Sequence, residues 1–136
     1  MTAESLARSL IRQARQRLKI LPVLMEEGAF NAVIREAQEC VELALKGLLR
    51  SCGVEPPKIH DVGGLLLLHR GRIAQLRGGI LQIDRLADIS RRLRKERELA
   101  FCDDIDFIPD EAYDKTQAEE AIRDAIFCVE QVESAI

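Results

Sequence analysis

Apolar residues return every three to four positions along this chain, and the strict alternation of a half-buried strand is never sustained. The pattern predicts an all-α protein of five helices. A first helix opens at Thr2 as N-cap and runs to about Glu27, with Leu6, Leu10, Ala14, Leu18, Leu21 and Met25 as its apolar stripe. Pro22 is expected to bend it and Gly28 to end it. The second helix, AFNAVIREAQECVELALKGLLRSCG, puts Phe30, Val33, Ala37, Val41, Ala44, Leu45 and Leu48 on one face, with Gly53 and Pro56-Pro57 as its stop. These two form an antiparallel hairpin. A third, short helix spans about Asp61–Arg70, and GRIAQLRGG after it, between glycine pairs, is left open. The fourth runs from about Ile80 to Phe101 on Ile83, Leu86, Ala87, Ser90, Leu93, Arg97 and Ala100. A polar loop, CDDIDFIPDEAYDK, leads to a fifth helix opened by a Thr116–Glu119 capping box, with Ala118, Ala121, Ile122, Ala125, Val129 and Val132 facing inward.

Composition narrows the class. The 136 residues are read as a single domain, 1–136, long enough to bury roughly two-thirds of the unfolded surface. With no Trp, one Tyr and four Phe, the core has to be aliphatic. No apolar run approaches the ~20 residues of a membrane span, and the first 20 residues lack a signal-peptide core, so a cytoplasmic protein without membrane contact is expected.

The four cysteines, Cys40, Cys52, Cys102 and Cys128, include no C-x-x-C pair; reduced structural thiols are expected, and no metal site or cofactor. Charge changes the picture more. Residues 1–97 hold 18 of the 20 Lys and Arg, whereas residues 98–136 hold 12 of the 23 Asp and Glu. The halves can complement each other within the fold or across a dimer, or the basic half can meet nucleic acid.

Three segments, taken in order, resemble the HEPN domain, a family of small helical domains. They are AFNAVIREAQECVELALKGLLRSCGVEPP, similar to the family's Ala-rich second helix; KIHDVGGLL, similar to its Lys/Thr-x-His-Asp-Leu-x-x-Leu-Leu segment; and RELAFCDDIDFIPDEAYDKTQAEEAIRDAIFCVEQV, similar to its closing helix–acidic loop–helix pattern. The resemblance implies an up-and-down bundle of four to five antiparallel helices that usually dimerises. It also implies one of two activities. One branch comprises metal-independent ribonucleases, often toxins, marked by Arg and His four to six residues apart. The other lacks the marker and is often encoded beside a minimal nucleotidyltransferase, with nucleotide binding attached to it. Here His60 has Gly53, Val54 and Glu55 at the marker positions, and His69 has Val62, Gly63 and Gly64. The sequence thus leans towards a non-catalytic, dimeric nucleotide- or RNA-binding module, working with a nucleotidyltransferase-type partner in a toxin–antitoxin-like system. A rearranged ribonuclease and a purely structural dimerisation domain are the alternatives.

The candidate residues follow from their chemistry. Asp61 is placed as N-cap of the third helix, and Lys58 is either a solvated lysine or, with that helix start, an anion seat for a nucleotide phosphate. His60 either packs against the end of the second helix or hydrogen-bonds a loop carbonyl, or it joins Arg97 and Tyr113 in the ligand-binding set; Tyr113 anchors the acidic loop through its ring and has a hydroxyl that can reach a ligand. If the protein is a ribonuclease, His60 serves as acid/base while Arg94 or Arg97 holds the phosphate, which requires imidazole and guanidinium in one cleft within about 8 Å. Arg94 and Arg97 otherwise pair with carboxylates of the last helix or the loop. Asp103, Asp104 and Asp106 lack the EF-hand arrangement and are read as solvated acids.

Overall fold

The structure, a computed structural model, describes residues 2–56, 58, 61–79, 81–100 and 113–136, and for residues 96–100 the helix but not the side chains. Among the described residues every regular element is a helix: α1 (Ala3–Leu18), α2 (Leu21–Glu26), α3 (Phe30–Ser51), α4 (Val62–Leu68), α5 (Arg70–Arg77), α6 (Ile83–Ala100) and α7 (Lys115–Ala135). Four of these are long and make the bundle.

Cross-links between named residues give the directions. The end of α1 meets the start of α3 through Arg17 and Glu36 (2.7 Å), while Ala7 and Ile11 near its beginning meet Gly47 near the end of α3. These two helices are therefore antiparallel. Arg92 of α6 reaches Asp124 of α7 at 3.3 Å, and the backbone N–H of Gln82, just before α6, donates to Gln131 near the end of α7. Those two are antiparallel as well. The result is an up-and-down bundle with α3 at its centre, packed against α1, α6 and α7.

The core is aliphatic, as composition requires. Leu45, Leu48, Leu49, Leu66, Leu86, Ile89, Val33, Val41, Val129 and Val132 are fully enclosed. Helix α3 is buried around most of its circumference, which adds Ile34, Gln38, Cys40 and Leu49 to the single face expected for it. Small residues allow this crowding. At Gly47 an added Cβ would lie 2.7 Å from Ile11 Cγ1 and 3.0 Å from the Ala7 carbonyl oxygen. Helix α7 presents Ala118, Ala121 and Ala125 inward, together with Cys128, Val129 and Val132.

Three sequence expectations are corrected. The first helix is two helices: α1 ends at Leu18, and Pro22 stands in the first turn of α2, where its missing N–H costs nothing. The buried stripe of α1 is Ala7, Ile11, Ala14 and Leu18, one position on from Leu6 and Leu10, which are only half-buried. The last helix is capped by Asp114 with Gln117 and not by Thr116 with Glu119: the Asp114 carboxylate accepts from the Gln117 N–H at 2.8 Å, and Gln117 returns the bond to the Asp114 N–H at 3.0 Å.

The region left open becomes α5. Its Arg77 donates to the Ser51 carbonyl at 2.8 Å, a cation at the negative end of α3. At Gly53, whose φ is +80, the Arg72 guanidinium approaches so closely that a Cβ would lie 2.7 Å from it.

Candidate anion-binding site

Asp61 starts α4 as its N-cap, the carboxylate accepting from the Gly63 N–H at 3.1 Å. Gly63 is buried, and a Cβ on it would meet the Ala87 carbonyl oxygen at 2.8 Å. The first turn of α4 thus lies directly on the backbone of α6. This contact fixes what Asp61 faces. On a helix, positions i, i+4, i+7 and i+8 share one stripe. Counting from Ala87 on α6, those positions are Arg91, Arg94 and Lys95. The stripe that α4 covers at Ala87 continues past the start of α4 as three cations. Asp61, Arg91, Arg94 and Lys95 together line an open hollow of about 230 Å³.

The neighbouring cations of α6 are committed to the fold. Arg92 binds Asp88 at 2.9 Å and Asp124 at 3.3 Å, with Glu120 at 4.0 Å. Burial, opposed by Arg92, holds the Asp124 carboxyl above the ordinary carboxylate range. Arg85 lies 3.7 Å over the Phe127 ring. By contrast, Arg91 and Lys95 are exposed and have no ion-pair partner among the described residues.

The sequence-chosen residues divide accordingly. Asp61 is the N-cap, as expected, and Arg94 lines the hollow beside it. Lys58 is exposed and does not line the hollow, and of the N–H groups at the start of α4 that of Gly63 is taken by Asp61. Tyr113 is 7% exposed and belongs to the core. His60, the side chain of Arg97, Cys102, Asp103, Asp104 and Asp106 lie outside the described residues. Arg91 and Lys95 were not singled out from the sequence. Their signal was available in the i, i+4, i+8 relation to Ala87, but only once Ala87 was known to face Gly63.

The HEPN domain family model matches residues 7–135. The chain belongs to the HEPN domain family. No curated protein and no solved structure gives a significant match. Within this HEPN domain the two charge-divided halves of the sequence meet: Arg15 of α1 pairs with Glu133 of α7, and Arg92 of α6 with Asp124. Among the described residues no helix is long and apolar enough to cross a membrane, and no three His, Cys, Asp or Glu side chains converge as a metal site would need.

Proposed function

We propose that this HEPN protein is a non-catalytic, dimeric nucleotide- or RNA-binding module that acts with a nucleotidyltransferase-type partner in a toxin–antitoxin-like system, and that its phosphate seat is the hollow between α4 and α6. The observation that carries the reading is the set of three cations and one carboxylate around that hollow, with Arg91 and Lys95 exposed and holding no other described group. Such a surface attracts a polyanion, and arginine matches a phosphate with paired N–H donors. The missing Arg–His spacing supports the non-catalytic part. Fluorescence anisotropy with a labelled oligoribonucleotide tests the seat. Reversing both charges, Arg91→Glu with Lys95→Glu, is expected to weaken binding at least about tenfold at low salt. Equal binding by the two proteins would remove the seat. Size-exclusion with light scattering tests the dimer.

One observation favours a second reading. Asp61 and Arg94 line one hollow, and His60 immediately precedes Asp61 in the chain, the neighbourhood a rearranged ribonuclease site would use. Degradation of RNA by the purified protein, abolished by His60→Ala, would establish that reading in place of the first.

A further inference from the structure

We infer that the recess between α5 and the start of α6 is a ligand site that takes a small carboxylate with an apolar body, the carboxylate held by Arg85. This recess shares no lining residue with the hollow between α4 and α6. The backbone N–H of Gln82 donates to Gln131 at 3.1 Å and fastens the start of α6 to the end of α7. About one turn further along α6 stands Arg85, and about one turn back along α7 stands Phe127. The Arg85 guanidinium lies 3.7 Å over the half-buried Phe127 ring. That stack orients a side chain that makes no hydrogen bond or ion pair with any described residue. A guanidinium held in this way keeps its paired N–H donors for a carboxylate and loses little further freedom on binding one.

The lining selects the ligand. Ala74, Leu81 and Ile83 give the recess apolar walls, and Arg70, Asp84 and Arg85 give it charge. Leu81 and Ile83 are buried, and Arg70 pairs with Asp84. Arg85 is then the charge left over among these lining residues, and a single positive charge suits a monoanion. A phosphate dianion would set its second charge against Asp84. An exposed ion pair alone contributes little affinity. A short aliphatic body laid against Leu81 and Ile83 adds apolar burial to it.

Space is sufficient. The recess holds about 460 Å³, within the ordinary range of small-molecule sites, which combine apolar walls with a few placed polar groups. Gly79 also lines it, and a Cβ there would meet no described atom within 4 Å beyond its chain neighbours.

The test is titration of the isotope-labelled full chain with isocaproate, a branched aliphatic carboxylate, followed by amide NMR shifts. Isocaproamide keeps the body without the charge, and acetate and inorganic phosphate carry charge without the body. Isocaproate is expected to saturate with a Kd on the order of 1 mM at low salt and to move the backbone amides of Leu81 to Leu86. Each of the other three is expected to bind at least about tenfold more weakly. Arg85→Gln is expected to weaken isocaproate at least about fivefold while the folded spectrum persists. Ala74→Phe, which fills the recess and leaves Arg85 in place, should weaken it as well. The protein carrying Arg91→Glu with Lys95→Glu, expected to lose strand binding, should keep isocaproate at wild-type affinity. Absence of saturation up to about 20 mM, binding of isocaproamide or phosphate as tight as that of isocaproate, or wild-type affinity in Arg85→Gln would overturn the inference and leave the α4–α6 seat untouched. Loss of isocaproate from the protein reversed at Arg91 and Lys95 would place the carboxylate in that hollow and overturn it too.

Discussion

A single methyl group at Gly63 would collide with the Ala87 carbonyl oxygen at 2.8 Å, and because the obstacle is backbone, α4 itself would have to move. Gly63→Ala is expected to destabilise the fold by about 1–3 kcal/mol and to weaken strand binding, both read from thermal melts and anisotropy. Its neighbour offers the control. A Cβ at Gly64 meets only the Asp61 side chain, at 3.4 Å, so Gly64→Ala should be nearly neutral. Asp61→Ala separates stability from binding by sign. Loss of the cap costs about 1 kcal/mol, yet removing the carboxylate that the described residues place in the hollow should tighten polyanion binding. Sequence alone identified Asp61, because capping is a local rule. It did not identify the role of Gly63, because Ala87, its reason for being glycine, is far along the chain.

Helix boundaries were readable where local chemistry was strong and misplaced where two local signals competed. Thr2 caps α1 as expected, in a reciprocal box with Ser5 at 3.0 Å. Near residue 115 two overlapping boxes were available, and the Asp114–Gln117 pair prevails; an ionised carboxylate at the helix start also opposes the macrodipole. Pro22 gives a sharp test of element division. In the first turn of α2, replacement by Ala should change stability by less than about 1 kcal/mol, whereas a proline inside one continuous helix would release about 3 kcal/mol on removal. Between elements, Arg92 ties α6 to α7. Arg92→Ala leaves the half-buried Asp124 without its cation and should cost about 1 kcal/mol at neutral pH, a modest figure because the guanidinium is 45% exposed. The Asp124 carboxyl is already held above its unfolded value by burial, and losing Arg92 raises it further. In the window above the ordinary carboxylate value the folded state therefore binds a proton that the unfolded chain does not, so the variant gains stability as pH falls. The gap in melting temperature between variant and wild type should be widest at neutral pH and narrow as the solution is acidified.

At the scale of the molecule, the all-helical bundle was available from periodicity, and its aliphatic core from the shortage of aromatic residues. The division of charge along the chain was visible too, and part of its explanation is internal: Arg15–Glu133 and Arg92–Asp124 join the basic and acidic stretches. The proposed seat was only half visible, since its cations are brought to one hollow by the approach of two helices that no local pattern encodes. The enclosed interior also predicts chemical silence. Burial, reinforced by Glu36, pushes the Cys40 thiol up to about 12, and burial raises that of Cys128 as well. Alkylation of both at pH 8, located by peptide mass, should proceed only as fast as the protein opens and become immediate in denaturant. A further consequence attaches to the outer stripe of α6. Since Arg91 and Lys95 pair with no described group of the bundle, mutation is expected to erase them without harming folding. Descendants that keep positive charge at both positions would do so under selection for what the charges hold, and those that have lost it would mark where that task was abandoned.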